Sequence, residues 1–261
     1  MNAQQKALIF KDVRTITANK RLLSTMLIVP IVLTIFIPSV FLFAAVLAPD
    51  ASNDLQSLLE LLPEMPKGDP VNLMASLLLN KIMPVFFMMI PVMASSVMAA
   101  SSFVGEKEKR TLETLLFSPL TIRQLFFAKI AAAFLVGMLV SVVSFAAMMA
   151  VIEAEAMLLT GALIVPEIGW LIVMCLVSPA IAVAAIAFTV RGSAKARTVE
   201  ESQQSAGFLV LPLALILVGQ FSGVLLLNTW ILLAIGAVIA LIAIPLMRGA
   251  ASSFTYEKLL K

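Results

Sequence analysis

The sequence contains no histidine, one cysteine and one tyrosine, and only 13% of its 261 residues are charged. With Cys175 alone and no histidine there can be no Cys/His catalytic pair, no Cys/His metal cluster and no internal disulfide. Cys175 lies within an apolar run and reads as a packing residue. A phosphate-cradling loop is also missing, because Gly105-Glu106-Lys107 has neither the second glycine nor the Gly-Lys-Ser/Thr ending that such a loop requires. The chain is therefore expected to be no enzyme and to hold no cofactor or metal of its own. A net charge of +3 says less than where the charges fall along the chain, and it does not imply nucleic acid as a partner.

What is abundant is apolar surface: 61% of residues are hydrophobic, against roughly half in soluble domains. The few charges stand in clusters. Between them lie six runs without Asp, Glu, Lys or Arg, at residues 22–48, 82–105, 130–152, 168–190, 207–228 and 229–247. A helix of ~20 residues, rising 1.5 Å per residue, crosses a ~30 Å hydrocarbon core, so each run is about long enough to span. Strands are excluded by the lack of alternating ten-residue segments, since an open sheet would leave backbone groups unpaired in lipid. The expected fold is all-α, one polytopic transmembrane domain over residues 1–261, with the lipid bilayer as its solvent. The first run exceeds a signal-peptide core of ~7–15 residues and is expected to be an uncleaved span.

Sorting the 18 Lys and Arg onto alternate sides of six spans is decisive. One side receives Lys6, Lys11, Arg14, Lys20, Arg21, Lys107, Lys109, Arg110, Arg123, Lys129, Arg191, Lys195, Arg197, Arg248, Lys258 and Lys261; the other receives Lys67 and Lys81. The positive-inside rule then predicts that both termini are cytoplasmic. The extracytoplasmic loop 49–81 is acidic, and its Leu55, Leu58, Leu59 and Leu62 have helical spacing, which predicts a short amphipathic helix on the outer surface. Spans five and six, divided near Asn228-Thr229, form a tight hairpin. Prolines 30, 38, 84, 91, 179, 212 and 245 fall in apolar runs, as kinks or hinges.

The densest information lies in the loop 106–124. Glu106 and Arg110 are an i,i+4 pair, and Leu112, Leu115 and Leu116 make an apolar stripe beside the charges. Ser118-Pro119 ends that helix, and Thr121-Ile122-Arg123-Gln124 is a capping box for the next. Such a segment suits either a solvated surface loop or a docking helix for a cytoplasmic protein. The run Glu106-Lys107-Glu108-Lys109-Arg110-Thr111-Leu112-Glu113-Thr114-Leu115-Leu116, followed by Ser118-Pro119-Leu120, resembles the signature of type-2 ABC exporter permeases, and the six-span layout extends the likeness over nearly the whole chain. The resemblance implies a permease subunit whose coupling helix, including Glu106, Lys107, Glu108, Arg110, Thr111, Leu112, Glu113, Leu115, Leu116, Ser118 and Pro119, seats in a groove of a separate ATP-binding cassette ATPase. ATP and Mg would then belong to that partner, and the permease would act as a dimer in the cytoplasmic membrane of a prokaryote.

Two further segments fit this likeness. Residues 1–21 carry Ile9, Val13 and Ile16 among basic residues, which suits an interfacial helix like the family's elbow helix. Thr198-Val199-Glu200-Glu201-Ser202-Gln203-Gln204 is similar to a polar stretch in the sodium-export branch, and Glu200, Glu201, Gln203 and Gln204 are candidates for a second ATPase contact. Ser95, Ser96, Ser101 and Ser102, with Gln220, are candidate pathway-lining residues, although small residues in a span serve equally for close packing. The alternative reading of the whole is a channel or assembly module that works without an ATPase.

Overall fold

The computed structural model describes residues 3–47, 70–108, 120–161, 163–196, 198–222 and 228–253. All regular structure among them is helical: α1 (Ala3–Ala18), α2 (Lys20–Ile31), α3 (Ile37–Leu47), α4 (Pro70–Leu77), α5 (Met83–Glu108), α6 (Ile122–Thr160), α7 (Gly169–Ile172), α8 (Ser178–Ser193), α9 (Val199–Gly207), α10 (Val210–Phe221) and α11 (Thr229–Ser253). Three π-helical turns, Val32–Phe36, Leu78–Ile82 and Val173–Val177, join α2 to α3, α4 to α5 and α7 to α8. Among the described residues, six helices are long and apolar enough to cross a membrane: Leu22–Ala44, Ala75–Glu106, Ile122–Leu159, Gly169–Ser193, Val199–Gln220 and Thr229–Ala251. These are numbered below as spans one to six. The amphipathic helix expected at Leu55–Leu62 lies outside the described residues.

Each π-helical turn ends two residues before a proline, namely Pro38, Pro84 or Pro179. Proline has no N–H, and its ring crowds the carbonyl four residues back, so a regular α-helix cannot continue through it undisturbed. Here the residue just before the proline donates five residues back instead of four: Ile37 to Val32, Met83 to Leu78 and Ser178 to Val173. The widened turn absorbs the clash without ending the helix.

Span two is the most buried and forms the axis of the bundle, packing on spans three and four, while span six packs on span four. Close approach of spans two and three depends on Gly137, where an added Cβ would stand 3.3 Å from the Ser95 Cα. Phe87, Phe145 and Trp170 from spans two, three and four meet in edge-on and tilted contacts with centroids 5.0–6.1 Å apart. The helices run beyond the charge-free stretches. Span two begins at Ala75 rather than near residue 82, and α6 covers Ile122–Thr160, where the sequence predicts 130–152. At 39 residues, α6 is about 58 Å long, well beyond what a ~30 Å hydrocarbon core requires. Helices continue through the headgroup zones, where charge is tolerated.

Candidate functional site

The segment 109–119 lies between the end of α5 and the start of α6, and these two stems meet. Thr121 caps the second stem: its Oγ1 accepts from the Gln124 N–H at 3.3 Å while Gln124 Oε1 accepts from the Thr121 N–H at 3.0 Å, the predicted capping box. α1 lies across both stems. It packs Leu8 against Leu125 and Ala128 of α6, and the positions one turn apart, Leu8, Asp12 and Ile16, form its buried face. Asp12 is thereby carried inward.

Four charged groups converge at this base. Lys129, in the second turn of α6, is only 1% exposed, and its Nζ stands 2.9 Å from Glu106 Oε2 and 3.6 Å from Asp12 Oδ2. Glu106, in the last turn of α5, also accepts from Lys11 Nζ at 2.6 Å. Ser102 Oγ donates to Asp12 Oδ2 at 3.1 Å, and Lys129 donates to the Ser102 carbonyl. The Lys129 ammonium also lies 5.8 Å from the centre of the Phe103 ring. Two ammoniums and two carboxylates balance. An isolated buried charge would cost several kcal/mol, which only such pairing offsets. Partial burial pulls the Lys11 amine down, but the Glu106 carboxylate to which it donates, and then Asp12, outweigh this and hold it above the usual lysine range. Lys11 and Asp12 belong to α1, Glu106 and Ser102 to span two, Lys129 to span three. The arrangement places no nucleophile beside a base; it fastens three helices at the root of one loop.

Of the residues singled out in the sequence, Glu106 lies within this buried junction, Lys107 is on α5 and Glu108 ends α5 in an exposed position. Arg110, Thr111, Leu112, Glu113, Leu115, Leu116, Ser118 and Pro119 lie outside the described residues. Glu200, Glu201 and Gln204 are exposed on α9 and Gln203 is half-buried, while the opposite face of α9 (Val199, Ser202 and Ala206) is buried. Ser202 Oγ donates to the Thr189 carbonyl of span four at 3.1 Å, and Gly192 leaves the room that Ser205 fills. α9 is thus held under spans two and four with its acidic face outward. Ser95 and Ser96 are buried in span two, Ser95 at the crossing with Gly137, and Ser101 is half-buried. Ser102 belongs to the junction, and Gln220 donates from span five to the Lys81 carbonyl at the opposite end of the bundle.

Sequence reasoning missed Asp12, took Lys11 as a basic residue of the interfacial helix and used Lys129 only as a marker of orientation. A signal existed: Asp12 lies on the Leu8–Ile16 stripe, and Lys129 follows Phe126-Phe127-Ala128 and precedes Ile130.

No curated protein and no solved structure matches the chain. The family model described as ABC-2 type transporter matches residues 3–219, from α1 through span five, and so includes the junction, the loop and α9. With six apolar helices and a match over most of its length, the chain belongs to the ABC-2 type transporter family and is a multi-pass permease component of an ABC transporter.

Proposed function

We propose that this permease is the membrane half of an exporter, and that the loop 109–119 receives force from a separate cytoplasmic ATP-binding subunit. The observation that carries the reading is the Lys11–Asp12–Glu106–Lys129 junction. A loop whose stems were independent would dissipate a push by local bending. Here the stems are ion-paired to each other and to α1, so displacement of the loop moves α1, span two and span three together. α9, with Glu200 and Glu201 outward, supplies a second surface on the same end. That end would face the cytoplasm of a prokaryote, where ATP and Mg are held by the partner. Two permease copies, or this chain and a related one, would enclose the path. Charge-poor span interiors favour an amphipathic cargo over small ions.

Docking is expected to rest on Leu112, Leu115 and Leu116, since burying a leucine contributes about 1.5–3 kcal/mol and an exposed ion pair under ~1 kcal/mol. Leu115→Asp or Leu116→Asp should therefore weaken association with the ATP-binding subunit by more than about tenfold, each tenfold being ~1.4 kcal/mol. The purified chain alone should bind no ATP, with hydrolysis appearing when the partner is added. Pull-down affinity and ATPase rate measure both. Leucine variants that insert normally and bind at unchanged affinity would remove the loop from the interface.

A further inference from the structure

The end of the bundle opposite α1 is held by contacts that converge on one short segment, the π-helical turn Leu78–Ile82. In that turn the Met83 N–H, which a regular α-helix would direct to Leu79, is taken by the Leu78 carbonyl. The next residue is Pro84, which has no N–H to offer. The Leu79 carbonyl is therefore deprived of both its α-type and its π-type partner, and it accepts instead from Trp170 Nε1 of span four at 3.2 Å. Asn80 spans the same gap with both ends of its amide: Oδ1 accepts from the Glu167 N–H at 2.8 Å and Nδ2 donates to the Val165 carbonyl at 3.5 Å. Lys81 Nζ pairs with Glu167 Oε2 at 3.0 Å, and the Lys81 carbonyl accepts from Gln220 Nε2 of span five. One helical turn thus joins spans two, four and five.

We propose that this turn, with Asn80, Trp170 and Gln220, is the latch of an exit gate, closed in this structure and opened during transport. The inference rests on the transport reading above and adds where the bundle parts. Three observations favour a latch over a permanent tie. The Lys81–Glu167 pair is partly exposed, so water can replace it, and the more buried bonds made by Trp170, Asn80 and Gln220 join uncharged groups, which part at less cost than charge-assisted ones. At the base, by contrast, the Lys129 ammonium is sealed and has no such exchange partner. The π-helical turns Val32–Phe36 and Val173–Val177 give spans one and four their own expanded points, on which their outer portions can swing. The base is fastened; the opposite end can be let go.

The test uses the full chain in open membrane fragments, both faces accessible, with Cys175→Ser as background and a soluble maleimide as probe. Ala75→Cys, buried one turn from the latch, reports the far end, and Ala132→Cys, buried one turn above Lys129, reports the base. Asn80→Ala, Gln220→Leu and Trp170→Phe, the last keeping the aromatic packing while deleting the donor, should each raise the labelling rate at position 75 at least about fivefold and leave position 132 protected. An unchanged rate at 75 would overturn the latch. Equal acceleration at both positions would overturn it too, by assigning the bonds to overall stability. In the complex with the ATP-binding subunit, ATP should raise labelling at position 75 without any latch substitution; a rate indifferent to ATP in an active complex would mean that this end is not the gate. The first arm needs no partner, so it judges the latch even where docking through the loop fails.

Discussion

Lys129 is the residue on which the base depends. Its amine reaches Glu106, Asp12 and the Ser102 carbonyl from a position closed to solvent, while Lys11 approaches the same carboxylates from a half-exposed side. Lys129→Met would leave two buried carboxylates facing one ammonium, and breaking a buried pair typically costs about 3–5 kcal/mol. The thermal midpoint of the detergent-purified chain should fall accordingly. A simple exchange, Glu106→Lys with Lys129→Glu, should not repair it, because the new Lys would face Lys11 and the new Glu would face Asp12. Lys129→Met combined with Glu106→Gln should recover much of the loss, since it restores neutrality with Lys11 and Asp12 still opposed. A charge exchange as stable as the natural chain would show that the pairs act independently and would dissolve the junction. The raised Lys11 value sets the pH behaviour: its contribution is complete below the ordinary 10.5 and is lost only as pH passes above the folded value. Hydrogen-exchange protection of α1, corrected for intrinsic rates, should therefore stay level between about pH 6 and 9.

At the scale of the helices, the closest approach of spans two and three is limited at the Gly137–Ser95 crossing, where no added methyl fits. Gly137→Ala would push its methyl into the Ser95 side chain and close to its Cα, an overpacking of the kind that costs about 1–3 kcal/mol. Adding Ser95→Gly moves the methyl from one helix to the other and should restore the thermal midpoint, which separates packing from any role for the Ser95 hydroxyl. A double variant no more stable than Gly137→Ala would mean that the hydroxyl, not the space, matters. The six spans were legible because lipid excludes charge, and the Thr121–Gln124 box because capping is local. Span limits were not legible: Glu106, Lys129 and Lys81 sit on helices that run on past the charge-free stretches, so charge does not mark where a helix ends. The inward face of α1 was hidden for another reason. Ile9, Val13 and Ile16 make a better apolar stripe than Leu8, Asp12 and Ile16, and it takes partners brought close by folding, the Lys129 amine and the Ser102 hydroxyl for Asp12 and α6 for Leu8, to bury the carboxylate-bearing face. Prolines announced irregularity, but that the widened turn at Pro84 would gather donors from spans four and five is a tertiary fact.

Taken as a whole, the molecule is asymmetric along the bundle axis: α1, α9 and both loop stems occupy one end, and the hydrogen-bonded turn the other. Spans one, three, five and six turn large apolar side chains outward, among them Phe36, Leu139, Leu215 and Leu241, a surface suited to lipid or to a second permease. The positive-inside rule predicts that the end carrying α1 faces the cytoplasm, since the six-span reading of the sequence puts sixteen of the eighteen basic residues on that side. This matters for mechanism because ATP is cytoplasmic, and a base facing outward could not be driven by it whatever its geometry. Single cysteines at Ser57, which precedes α4 in the sequence, and at Ala194, exposed just after span four, separate the possibilities in a Cys175→Ser chain. On intact cells a membrane-impermeant maleimide should label position 57 and spare position 194, and opening the cells should make 194 reactive as well. Labelling of 194 alone on intact cells would invert the bundle, placing the Lys129 junction outside and the Leu78–Ile82 turn inside. Labelling of both would break the six-span topology itself, because an even number of crossings separates 57 from 194 only if one helix between them fails to traverse the bilayer.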